Sequence, residues 1–194
     1  MRKLLLLTAV ALLLNACSMF SELVAFTKCE FRLQSLRQPE VCGINISQKS
    51  SWSDFSLMEG QIMAAQLLQK RFPFEITVNV EARNPGSTMA AVNSIQWIAM
   101  LDELQLAQGM VSERVEVPAN GGTSTIPVRI RADLFDYLEG GNARAMLDFA
   151  LNLINAGNQS SQLSMKIKPS VLIGGQEIQY PDYFTITKEF KSGN

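Results

Sequence analysis

The stretch FEITVNVEARNPG, Phe74 to Gly86, carries two statements. Phe74, Ile76, Val78, Val80 and Ala82 alternate with Glu75, Thr77, Asn79, Glu81 and Arg83. Successive side chains of a β-strand point to opposite faces, so this spacing predicts a strand with one apolar and one solvated side. Asn84-Pro85-Gly86 then ends it. Proline gives no N–H to a ladder, asparagine can bond its own turn, and glycine accepts a positive φ.

The same period recurs on both sides of that stretch. Cys29, Phe31 and Leu33 share one face, and Cys42, Ile44 and Ile46 share another, with Arg37-Gln38-Pro39-Glu40 read as the turn between two strands. Ile95, Trp97, Ala99 and Leu101 alternate, and Asp102-Glu103 turns the chain into Leu104-Gln105-Leu106. Gly109 reads as a break before a strand from Val111 to Val117, and Pro118 to Gly122 is a strong turn. Ile126, Val128 and Ile130 mark the next strand, Leu163, Met165 and Ile167 another, and Phe184, Ile186 and Phe190 the last. Short strands separated by Gly, Pro and Asn turns predict a mainly β protein, an antiparallel β-sandwich.

Two segments follow helical spacing instead. Residues 56 to 71 hold Leu57, Ile62, Ala65 and Leu68 behind Ser53 or Ser56 as cap, and Pro73 stops them. Between about Asp133 and Gly157, Met146, Phe149, Ala150 and Leu153 recur at i, i+3, i+4 and i+7, widened by Leu147, Leu151 and Ile154. So broad an apolar face predicts a helical insert buried against a sheet.

The start of the chain reads as an export signal. Arg2 and Lys3 precede an apolar run from Leu4 to Leu14, too short for the about 20 residues of a stable membrane-spanning helix. It ends in Leu14-Asn15-Ala16-Cys17, which resembles the lipobox of bacterial lipoproteins. The expected division is a signal peptide over 1–16, lipidation at Cys17, a tether over 17–27 and one domain over 28–191. Ser18, rather than aspartate, follows Cys17, and no acidic cluster comes next. That pattern is expected of a lipid anchor in the outer membrane, facing the periplasm of the bacterial envelope. An ordinary signal peptide cut nearby, with Cys17 incidental, is the other reading.

Export bears on the remaining cysteines. Cys29 and Cys42 are close in sequence, and in an oxidising compartment they read either as a disulfide or as two buried thiols. A bridge closing so short a loop would contribute about 3 kcal/mol. The chain has no histidine, which excludes Ser-His and Cys-His nucleophile systems and leaves no ordinary zinc site. No catalytic residue, metal or cofactor is expected. The formal net charge of −1 becomes more negative once Arg2 and Lys3 are removed. With no basic run left, nucleic acid is not an expected partner.

Three blocks taken in order form a series: FEITVNVEARNPG, then NSIQWIAMLDELQLAQG from Asn93, then RVEVPANGGTSTIPVRI from Arg114. The series resembles the type 2 late-embryogenesis-abundant domain, also called the water-stress and hypersensitive-response domain. That family shows a strand ending in Asn-Pro, a hairpin closed by glycine, a Val-x-Val-Pro element and a second strand of alternating Val and Ile. The resemblance covers roughly Cys29 to Phe190 and is densest from Phe74 to Ile130. It implies an immunoglobulin- or fibronectin III-like sandwich, desiccation or stress protection, and in some relatives a held lipid. It carries no shared active site. The sequence departs from the family at Gly86, where asparagine is common, and in the size of the helical insert.

Two side chains stand out as candidate ligand contacts. Trp52 lies in a polar Ser-rich loop, where it can meet sugar, lipid or protein, or fold onto Phe55 as a lid. Phe149 faces the sheet from the insert and would border any apolar groove there. Trp97 has the parity of the core. The expectation is a non-catalytic binding or stress-protection module held to the membrane by its lipid. A spacer lipoprotein of an envelope assembly, or a groove that takes lipid or an envelope protein, are the alternatives.

Overall fold

A computed structural model of the chain describes residues 19–101, 104–136, 143–153 and 161–190. The strand predicted from Phe74 is the centre of one sheet. Four strands lie there in the order β2 (Ile44–Asn45), β1 (Glu30–Val41), β3 (Pro73–Arg83) and β8 (Thr123–Asp133), all antiparallel. The second sheet runs β10 (Gln176–Gln179), β9 (Ser161–Ile173), β5 (Ser94–Leu101) and β6 (Leu104–Val111), and β11 (Phe184–Phe190) pairs the other half of β9. A short ribbon of β4 (Ala90–Val92) and β7 (Val115–Val117) closes one end.

Register follows the apolar alternation. Ile76 faces Ile130, Val78 faces Val128 and Val80 faces Ile126 across β3 and β8. Trp97 faces Ile167, and Ala99 faces Met165, across β5 and β9. All ten are buried. The outward residues of the first sheet are charged and pair across strands: Arg32 with Glu81 at 2.7 Å, Arg131 with Glu75 at 2.7 Å, Arg83 with Glu30 at 2.9 Å. The interior supplies the stability, about 1.5–3 kcal/mol for each fully buried aliphatic side chain. Exposed ion pairs contribute about 1 kcal/mol at most.

The first hairpin differs from its prediction. Arg37-Gln38-Pro39-Glu40 is no turn; β1 runs through it as one strand of 12 residues. Irregular register between Arg37 and Glu40 absorbs the proline, and Gln38 takes φ 50°. Only the last two residues of β1 pair with β2, so along the rest of that edge a missing N–H costs no ladder bond. The turn comes at Cys42-Gly43, with φ 51° and 76°, between Val41 and its partner Ile44. Two residues of positive φ form the short hairpin loop that suits strand twist.

Gly109 also differs. It lies inside β6, opposite Trp97, and does not break the strand. The turn expected at Asp102-Glu103 lies outside the described residues, between the paired residues Leu101 and Leu104.

Three helices are described. α1, over residues 19–27, stands where a tether is expected. Leu23 and Phe26 enter the core from it, and the Phe26 and Phe31 rings lie 5.2 Å apart. α2 (Leu57–Leu68) begins at Ser56 with a reciprocal capping box to Glu59, as its sequence predicts. Its inward residue is Met63, whereas Leu57 and Leu68 are more than four-fifths exposed. α3 (Ala143–Leu153) belongs to the expected insert, whose other parts from 137 to 142 and from 154 to 160 lie outside the described residues. Met146, Leu147, Ala150 and Leu151 are fully buried.

Candidate functional site

Asn84 organises the end of the sandwich where β3 stops. It is 1% exposed, yet every polar group of the residue is used. Its amide N–H donates to the Gly122 carbonyl at 2.9 Å, and its carbonyl accepts from Gly121 at 2.7 Å. Its side-chain Nδ2 donates to the carbonyls of Thr88 at 2.8 Å and Val117 at 3.2 Å, while Oδ1 accepts from Gly86 N at 3.0 Å. One side chain therefore ties the loop after β3 to the turn before β8. The positive φ needed here falls on Asn120 (59°) and Gly121 (84°), not on Gly86. Gly86 answers to space instead, because a Cβ there would stand 3.2 Å from Asn84 Oδ1.

α1 crosses this end. Phe20, Val24 and Ala25 from the helix and Lys28 just after it, with Ser87 and Thr88 from the loop, line an open recess of about 500 Å³. Arg114 fixes the helix to the body by an ion pair with Glu22 at 2.8 Å, and it also binds Glu116 at 2.8 Å. A second open recess of about 550 Å³ lies between the edges of the two sheets, where Met110, Arg114, Pro127 and Arg129 line it.

The expected site residues do not converge. Cys17 lies outside the described residues. Cys29 and Cys42 are free buried thiols at opposite ends of β1, separated by about 40 Å at the usual rise of a strand. A disulfide needs Cα atoms within about 7 Å, so the bridge is excluded by the continuity of β1. Burial pushes the Cys29 thiol up to about 11. Burial, and then the negative charge of Asp133, pushes Cys42 up to about 12. Neither is a poised nucleophile.

Trp52 sits at the far end, in a short 3-10 turn before α2. It is 41% exposed and its ring lies 6.2 Å from that of Phe55. Lys49 Nζ stands 4.5 Å above the Phe55 ring and binds Glu59 at 3.0 Å. Trp52 is thus half lid and half surface. Phe149 packs against the core, on a helix whose neighbouring residues fill the space that a groove would need. Trp97 is a core residue, as its parity predicts.

The carboxylates are engaged in the framework. Asp133 Oδ1 accepts from the backbone N–H of Phe72 at 2.6 Å and of Phe135 at 3.1 Å, so it staples β8 to the residue before β3. A serine pair was not foreseeable from sequence: the Ser94 and Ser170 hydroxyls meet at 2.6 Å, and both lie within hydrogen-bond distance of Glu177 Oε1, at 3.0 and 2.5 Å, so two protons are shared over three contacts. The hydrogen bond from Ser170, then that from Ser94, holds the Glu177 carboxyl below its usual range. Ser94 is far from the other two in the chain, and the pairing of β5 with β9 and of β9 with β10 brings the three together. Among the described residues, no group of three or more acids or cysteines could hold a metal, and no helix is long and apolar enough to cross a membrane.

No family model and no curated protein matches the chain. Solved structures do. One is a protein named as a candidate late embryogenesis abundant protein, 14% identical over 95% of this chain and 84% of that one, with a TM-score of 0.37. A protein from Arabidopsis thaliana is 11% identical over 63% and 72% of the two chains, with a TM-score of 0.39. A protein from Archaeoglobus fulgidus is 17% identical over 63% and 87%, with a TM-score of 0.34. All are distant likenesses.

Proposed function

We propose that the chain is a lipid-anchored protein of the bacterial envelope, a non-catalytic module of the type 2 late-embryogenesis-abundant kind. It binds a partner or protects envelope components from stress, held in the outer membrane and facing the periplasm. The observation that carries this reading is the junction at Cys17. A lipobox-like Leu-Asn-Ala-Cys is followed within two residues by a helix packed into the sandwich. An anchor at that cysteine would place a finished β domain directly at a membrane. The FEITVNVEARNPG strand, with the Asn84 hub that follows it, supports the family reading.

The lipid-carrier alternative has less support, because the inner face of α3 is filled by Met146, Leu147, Ala150 and Leu151. Metabolic labelling with palmitate, with mass spectrometry of the mature N-terminus, tests the anchor. The expected result is a diacylglyceryl-modified Cys17 in the outer-membrane fraction, lost in Cys17→Ala. An unmodified wild-type chain, or a Cys17→Ala variant as firmly membrane-bound as wild type, would end the proposal.

A further inference from the structure

The end of the sandwich that carries α1 combines exposed apolar side chains, an open recess and a cation. Phe20 is 55% exposed and Met89, at the end of the Asn84 loop, is 41% exposed. The recess beside Phe20 is bordered by Val24, Ala25 and the aliphatic stem of Lys28. Among the described residues, Lys28 is the only charged one lining that recess. The acids nearest to it in sequence are spent elsewhere, Glu22 on Arg114 and Glu30 on Arg83. This end of a chain with net negative charge therefore presents apolar tips and a cation.

Its position is set by α1. Leu23 and Phe26 are buried, and Glu22 is tied to Arg114, so the helix moves with the domain. Two peptide links separate Cys17 from residue 19, a reach of about 7 Å. That falls within the about 5–10 Å to which apolar tips sit in the headgroup boundary of a bilayer.

We propose that this end is a membrane-contact face, with Phe20 and Met89 in the headgroup boundary of an anionic bilayer and Lys28 against its phosphates. The inference rests on the lipidation of Cys17 proposed above and deepens it. The anchor does not dangle the domain on a string; it seats it. β1 leads from this face to the opposite end, where Val41 pairs with Phe74, and Trp52 lies on the connection between those two residues, after β2 and before α2.

The test uses the full-length lipoprotein in vesicles of phosphatidylethanolamine and phosphatidylglycerol with brominated acyl chains. Phe20→Trp and, separately, Met89→Trp are made on a Trp52→Phe background, the native chain carries the Trp52 reporter, and the Trp97 emission common to all of them is subtracted with Trp52→Phe alone. Mass spectrometry of Cys17 is run on every sample. Bromine quenching of the position-20 and position-89 reporters at least about threefold stronger than that of Trp52 is expected, because contact quenching is confined to the bilayer. Equal quenching at both ends, or none at position 20 in a chain with acylated Cys17, overturns the seat while leaving the anchor intact. A chain without acyl groups at Cys17 that fails to float with the vesicles overturns the anchor itself.

Discussion

Gly109 lies beneath the indole of Trp97: a Cβ built at 109 would stand 2.5 Å from Trp97 Cζ2. The two residues face each other across β5 and β6. Gly109→Ala therefore forces the indole out of a buried position, and overpacking of that kind costs about 1–3 kcal/mol. Urea unfolding should show the loss in Gly109→Ala and a smaller added loss when Trp97→Leu is already present. Equal losses in both backgrounds would contradict the contact.

Asn84 should be among the least replaceable polar residues. Asn84→Ala strips partners from the buried Val117 carbonyl and from the part-buried contacts of Thr88 and Gly86 at once, and a buried group left unpaired costs about 1–3 kcal/mol. A drop in unfolding free energy above about 2 kcal/mol is expected on that basis, from one buried and two part-buried groups together. Amide exchange at Gly86 should rise with it. A change within about 0.5 kcal/mol, the range of ordinary surface substitutions, would refute the hub.

Cys29 and Cys42 should be silent thiols. Their pKa values, pushed up to about 11 and about 12, leave little thiolate at pH 8. Iodoacetamide should modify them only after denaturation, and dithiothreitol should leave the melting temperature unchanged. A Cys29–Cys42 cross-link in a peptide map would break the single-strand description of β1.

The Ser94–Ser170–Glu177 cluster predicts an acid-side dependence. The folded Glu177 pKa is depressed below its ordinary 4.5. Its contribution is therefore complete above about pH 4.5 and is lost as pH falls through the lower folded value. Glu177→Gln should be less stable than wild type at pH 7, with the gap narrowing in thermal melts as pH falls below about 4.5. A gap that widens with acid would reverse the assignment.

On α2 the contrast is between faces. Met63→Ala removes a buried side chain and should cost about 2–5 kcal/mol. Leu57→Gln and Leu68→Gln replace side chains already in solvent and should stay within about 0.5 kcal/mol. Comparable losses at Leu57 and Met63 would mean that the helix faces the other way.

Strands were legible wherever one face of a strand is buried and the other wet, as from Phe74 to Arg83 or Thr123 to Arg131. Period two is then written directly in the side chains. The reading failed where a residue's role depends on its neighbour in space. Pro39 resembles a turn proline until β1 is seen to lie at a sheet edge. Gly109 resembles a breaker until Trp97 is placed over it. On α2, Leu57, Ile62 and Leu68 suggested the packed face, yet the helix turns Met63 inward, and nothing in its own spacing favours one apolar side over another. The serine–glutamate cluster was beyond reach for the same reason, since its members meet only through strand pairing. Asn84 was recognised as a punctuation mark, but its two carbonyl partners and its burial needed the fold.

Pro127 stands mid-way along β8, the last strand of its sheet, opposite Asn79. Proline is tolerated there because it lacks an N–H only toward the open side. An unbroken row of donors on β8 would invite a neighbour's strand to zip on and start a polymer. A single missing proton in that row lets neighbouring molecules crowd together and still part.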